Sequence, residues 1–176
     1  MRRGMAVVAY PVLSADDDEW VASIRATHDP QAGLLAAHFT LVFPADVSER
    51  AALEVVRDAA ADVAPFGFVL RSVRAVRNAL GQGGHVFLIP SEGAQEIVAL
   101  HDRLYKGAFG PSRRPDIEYV PHMTVGASDD WSQCEALADR LAQPSRQMKG
   151  RVEAIELLRL GDESVESVRR LPLATI

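Results

Sequence analysis

The chain has 176 residues, 48% of them hydrophobic and 24% charged, with a net charge of −5. That length suits one domain or two small lobes sharing a core, and the composition is that of a soluble globular protein, not a disordered one. The acidic balance argues against a wide basic surface for long duplex nucleic acid, but leaves room for a small nucleotide or an RNA end in a locally basic cleft.

Residues 5–13 read as a first strand. The apolar run there is short, and Pro11 and the acidic residues 16–19 follow too soon for a secretory signal, so a cytoplasmic protein is expected. No apolar stretch reaches the length of a membrane span. Ser14 is an N-cap candidate with Asp16, Asp17 and Asp18 in the first turn of a helix running through Trp20 and Ile24 to about Thr27. His28 opens a loop marked by Pro30 and Gly33, and a strand follows over about 37–43. Ser48 starts a second helix with Ala51, Leu53, Val55, Val56 and Ala59 at helical spacing, ended by Pro65. Residues 66–77 read as a strand, Gly81-Gln82-Gly83-Gly84 as a turn and 85–89 as a short buried strand, together a hairpin. A third helix over 93–106 turns Ile97, Leu100 and Leu104 inward and leaves His101 exposed. The loop 107–118 leads to a strand over 119–127. Ser128 or Asp129 caps a fourth helix that runs through Leu141 and stops at Pro144. Cys134, the single cysteine, reads as a small buried residue of that helix; one cysteine allows neither an intrachain disulfide nor a cysteine-based zinc site. Closing strands over 146–160 and 165–173 join at Gly161-Asp162.

The resulting order, β-α-β-α-β-β-α-β-α-β-β, shows two halves that look alike. It predicts an α+β fold of mainly antiparallel sheet with outer helices. Residues 1–176 form one two-lobed unit without a linker, and a monomer is expected.

Two segments carry the chemistry: His38-Phe39-Thr40-Leu41 and His122-Met123-Thr124-Val125. Side chains alternate along a strand, so His38 and Thr40 share one face while Phe39, Leu41 and Phe43 share the other. His122 and Thr124 likewise share a face, opposite Met123 and Val125. A single His-x-Thr arises readily by chance; two copies on two strands, one in each half, supply a coherent set. Acid–base cleavage of a phosphate ester needs one group to accept a proton and another to donate one, and histidine does either near neutral pH. Threonine hydroxyls can donate to the non-bridging phosphate oxygens, where charge must be stabilised. Lobes facing each other would set the two strands side by side across a central cleft.

With these residues the chain resembles the 2H phosphoesterase superfamily, which includes 2′-5′ RNA ligases and cyclic nucleotide phosphodiesterases. The likeness rests on HFTLVFP at 38–44 and PHMTVG at 121–126. The stretch from Arg25 to Pro30 is similar to an R-x-x-x-D-P segment of one bacterial branch. The resemblance implies two pseudo-symmetric lobes and metal-independent chemistry, with no cofactor, on 2′,3′-cyclic phosphates, 2′-5′ linkages or related RNA-end phosphodiesters. It implies catalytic roles for His38 and His122 and phosphate-binding roles for Thr40 and Thr124. Which histidine is the base stays open.

Among other residues, Arg113 and Arg114 precede the second motif and could reach a phosphate or stack on a base, although a solvated loop accounts for them as well. Tyr119 is a substrate-binding candidate that strict alternation turns away from the His/Thr face, unless Pro121 kinks the strand. His28 and His85 read as turn and strand-end residues. Arg71, Arg74 and Arg77, spaced by three on one strand, cannot all share a face. A nucleotide- or RNA-binding module with little turnover is the alternative to an enzyme. A metal hydrolase is disfavoured, because neither H-E-x-x-H nor His-x-x-x-His occurs.

Overall fold

The computed structural model describes residues 3–78, 81–143 and 146–174; Pro144, expected to end the fourth helix, lies outside them. The strands are β1 (Gly4–Ala9), β2 (Val12–Leu13), β3 (Phe39–Ala45), β4 (Phe66–Arg77), β5 (Gly84–Glu92), β6 (Met123–Ser128), β7 (Met148–Val152), β8 (Ala154–Leu160) and β9 (Val165–Pro172). The helices are α1 (Ala15–His28), α2 (Glu49–Ala61), α3 (Ala94–Leu104) and α4 (Trp131–Leu141). The strands make one curled antiparallel sheet in the order β2-β7-β4-β5-β6-β3-β1-β8-β9. The α+β prediction, with antiparallel pairing and outer helices, describes this architecture.

The sheet has two arms, which meet where β6 touches β3 through one register pair, Phe39 opposite Met123. Helices α1 and α4 pack on the β4–β5–β6 arm, and α2 and α3 on the β3–β1–β8–β9 arm. A continuous core fills the space between sheet and helices, built from Val7, Phe39, Leu41, Val56, Val86, Leu88, Leu100, Met123, Val125 and Leu157 among others. Fully burying one such Leu or Phe contributes about 1.5–3 kcal/mol relative to leaving it exposed.

The arms are not the two halves of the chain. The strand expected over 5–13 breaks at Tyr10-Pro11, since proline has no N–H for the ladder. Residues before the break stay in β1; those after it cross to β2, at the far edge of the other arm, beside β7. The strand expected over 146–160 breaks at Glu153 in the same way, with β7 paired to β4 and β8 to β1. The first and last strands of the sequence therefore share an arm, and the middle strands build the other.

Smaller differences have local causes. β3 runs through Pro44 to Ala45, and β5 runs through Pro90 to Glu92, where the register against β4 shifts on either side of the Leu70–Pro90 pair. Ser14 and Ser48 cap α1 and α2 as expected. Asp130, not Ser128 or Asp129, caps α4, accepting from the Ser132 N–H at 2.9 Å; Ser128 is the last residue of β6. Phe43 was expected on the buried face and is half exposed. Val8 faces Thr40 and Val7 faces Val42, so Leu41 is an extra residue on β3 and the alternation flips beyond it.

Candidate active site

The strand pairing that joins the arms also assembles the site. His38 and His122 each stand one residue before their strand, and Thr40 and Thr124 stand one residue past the Phe39–Met123 pair. Carried one residue either way, that antiparallel register sets His122 across from Thr40 and His38 across from Thr124. Phe39, Leu41, Met123 and Val125 are fully buried toward the helices, while the two histidines and two threonines remain partly exposed on the other face.

The histidines are held alike. His38 Nδ1 lies 2.8 Å from the Ala36 carbonyl and His122 Nδ1 lies 2.6 Å from the Val120 carbonyl, in each case two residues back along the chain. A carbonyl only accepts, so these bonds assign the proton to Nδ1 and leave the Nε2 lone pair free in both rings. Burial pushes both histidines below their ordinary pKa, opposed in each by the carbonyl bond. His38 also feels Arg25, which lowers it, and Asp29, which raises it. His122 is lowered further by His85 and by His38 itself, so the first motif acts electrostatically on the second.

Their neighbours differ. His122 stacks on Phe87 with ring centroids 3.7 Å apart, and Phe87 stacks more loosely on His85 at 5.7 Å. His38 meets Tyr10 edge-on at 6.1 Å. Beside it lies a buried ion pair, Arg25 Nε to Asp29 at 2.8 Å, whose carboxylate also accepts the Gln31 N–H at 2.9 Å.

Beyond Phe39 the ladder between β3 and β6 stops, and side chains take its place. The Tyr119 hydroxyl donates to the Thr40 carbonyl at 2.8 Å, and His101 Nδ1 donates to the Leu41 carbonyl at 2.8 Å. The Phe43 N–H donates to the Tyr105 hydroxyl at 3.2 Å. His101 and Tyr119 stack at 3.7 Å, nearly parallel. The exposed His101 of the sequence reading is thus corrected: it is 5% exposed, because its ring is needed where β3 lacks a strand partner. Burial raises the Tyr119 hydroxyl well above its ordinary pKa, keeping it a neutral donor.

The remaining candidates are occupied elsewhere. Arg113 pairs with Asp102 at 2.6 Å and Arg114 with Asp116 at 2.7 Å. His28 is the last residue of α1, not a loop residue, and accepts from Arg140 at 2.8 Å. Sequence reasoning did not place Phe87 or His85 beside His122, where the structure has them. The signal was there: on β5, His85 and Phe87 alternate with the buried Val86 and Leu88 and so share the His122 face. The burial of Arg25 carried no comparable signal, because it depends on how α1 docks on β6.

Cavities of about 290 Å³ and 250 Å³ are lined by residues such as Asp29, Gln133 and Leu137, and Trp20, Leu88 and Leu141 respectively; neither includes the two histidines or the two threonines. Among the described residues, no three His, Cys, Asp or Glu side chains gather as a metal site, and no helix is long and apolar enough to cross a membrane.

Comparison with known proteins shows the family and the fold. Residues 13–163 match the family described as the 2′-5′ RNA ligase superfamily. A Bacillus pumilus protein named "Putative phosphoesterase" is 30% identical over 129 residues, covering 70% of this chain and 71% of that protein. The crystal structure of E. coli LigT complexed with NADP+ superposes with a TM-score of 0.60 at 20% identity, over 98% of this chain and 99% of that one. The complex of LigT with 3′-AMP gives 0.61 at 18% identity, with the same coverage. These two structures are similar in fold.

Proposed function

The chain belongs to the 2′-5′ RNA ligase superfamily of phosphoesterases, and from that premise we propose that it hydrolyses 2′,3′-cyclic phosphates or related RNA-end and 2′-5′ phosphodiesters by two-histidine acid–base catalysis. One observation carries the reading: two histidines in the same tautomer, each with Nε2 free, each across from the threonine of the other motif. In this mechanism the Nε2 of one histidine takes a proton from water as its oxygen bonds to phosphorus. The bond from phosphorus to one ribose oxygen breaks, and the other histidine, protonated, gives that oxygen its proton. Thr40 and Thr124 donate to the non-bridging oxygens. Each proton transfer contributes about 10²–10⁴-fold, and the roles of the two rings interchange in the reverse direction. The 3′-AMP bound by LigT is a product-like nucleotide of this chemistry and supports a nucleotide as ligand.

The test is hydrolysis of the four nucleoside 2′,3′-cyclic monophosphates with EDTA present. Turnover giving one phosphate isomer supports the reading and identifies the bond broken. Absence of turnover together with binding of nucleoside monophosphates would make the chain a nucleotide-binding module instead.

A further inference from the structure

On the β4–β5–β6 arm the face that carries the site continues outward, and register fixes what lies on it. Phe87 of β5 is directly opposite Thr124 of β6, and Arg74 of β4 is directly opposite Phe87. Directly paired residues share a face, so Arg74, Phe87 and Thr124 form one row, with His122 stacked against Phe87. An independent contact confirms the alternation. Arg77, three residues along β4, must face the other way, and its guanidinium lies 4.3 Å over the ring of Trp131 on α4. Val73 and Ala75 pack toward the same core.

Arg74 is exposed and makes no hydrogen bond or ion pair among the described residues. That separates it from Arg113 and Arg114, which are held by carboxylates, and from Arg71, which pairs with Glu92 at 2.9 Å. Its backbone stands two strand spacings, about 10 Å, from that of Thr124. A flexible arginine side chain shortens the gap to roughly one nucleoside. The row therefore has a phosphate-binding threonine at one end, an aromatic ring between, and an uncommitted cation at the other.

Resting on the two-histidine reading above, we propose that Arg74 is a specificity-determining residue that binds a second phosphate, the one carried on the 5′ oxygen of the nucleoside whose cyclic phosphate is cleaved. A guanidinium suits this role because it stays charged and can bond two phosphate oxygens at once. The preferred substrate then bears phosphate on both sides of its terminal nucleoside. Two sources supply that chemistry: an oligonucleotide end, where the 5′ phosphate is a diester, and a 5′-phosphorylated mononucleotide, where it is a monoester.

Three substrates separate the outcomes: a nucleoside 2′,3′-cyclic phosphate, the same compound with a 5′ phosphate, and a dinucleotide ending in the cyclic phosphate. In wild type both 5′-substituted compounds should exceed the bare one in kcat/KM by about tenfold, mainly through KM. In Arg74→Ala that advantage should vanish, and Arg74→Lys should restore part of it. Because salt screens an exposed charge pair, the advantage should also fade with salt in wild type and show no salt dependence in Arg74→Ala. An advantage for only one of the two compounds, lost in Arg74→Ala, supports the subsite and names its source. Equal losses on all three substrates, or none, overturn the proposal. Titration with the corresponding hydrolysed 3′-phosphates keeps the test independent of catalysis. If wild type turns nothing over, the catalytic reading fails, and a tenfold loss in Arg74→Ala confined to the 5′-substituted ligands still sustains the subsite; no such loss sinks it.

Discussion

The two arms deliver the same His-x-Thr pattern to their junction and finish their outward faces in opposite ways. On the β3–β1–β8–β9 arm that face is roofed: Leu35, from the loop between α1 and β3, covers Ala6, Val8, Leu158 and Leu160, with Tyr10 and Val165 at the margin. The buried Arg25–Asp29 pair pins the start of that loop. On the β4–β5–β6 arm the equivalent surface has no such roof among the described residues and presents Arg74, Val76, His85 and Phe87. One arm uses its second face for stability and holds its histidine from beside a small core. The other leaves its second face partly exposed.

The steepest way to break this contrast is at the ion pair. Asp29→Ala leaves Arg25 buried without its partner and should cost about 3–5 kcal/mol in urea unfolding, whereas the double change Arg25→Met, Asp29→Leu should recover most of that. A small loss in Asp29→Ala would mean that the pair is not what holds the loop.

The threonines sharpen the comparison at the junction itself. Thr40→Val and Thr124→Val should each lower kcat about a hundredfold on a cyclic nucleotide, with similar losses because each stands across from a histidine. A loss in one variant alone would show that only one arm holds the phosphate.

The roof comes next. Leu35→Ala should destabilise by about 2 kcal/mol, since it removes buried methyl groups and opens a cavity. Val76→Ala, on the bare face of the other arm, should stay within about 0.5 kcal/mol of wild type in the same urea unfolding. Equal effects would mean that the two faces are equally packed. A smaller loss than at Leu35 is expected at the seam: Tyr119→Phe removes one bond to the Thr40 carbonyl, about 1 kcal/mol of stability, and should lower kcat severalfold while KM holds. A KM change without a kcat change would instead make Tyr119 a ligand contact.

Much of this was legible in the sequence, because local rules decided it. Ser14 and Ser48 cap their helices, 66–77 is a strand to the residue, and the alternation around His38 and His122 separates buried from partly exposed side chains as expected. What was not legible depends on contacts distant along the chain. Nothing near Pro11 or Glu153 says that the next residues join a strand in the opposite arm. Leu41 is an extra residue only relative to β1, so the outward turn of Phe43 follows from the pairing and not from its own segment. His101 looks like any polar helix residue until β3 is seen to need a donor at the Leu41 carbonyl.

The central claim is that both histidines move protons, one to each side of the reacting phosphorus. The direct measurement is the pH profile of kcat/KM for a nucleoside 2′,3′-cyclic phosphate in EDTA, for wild type, His38→Ala and His122→Ala. Activity needs one ring protonated and the other neutral, and burial favours the neutral form of both, so each loses its proton below the ordinary histidine value of 6.5. The account predicts a bell with its maximum on the acid side of 6.5, a loss of at least about a hundredfold in each variant, and one limb missing from whatever activity remains in each. Retention of wild-type rate in either variant, or an unchanged bell in both, would contradict it.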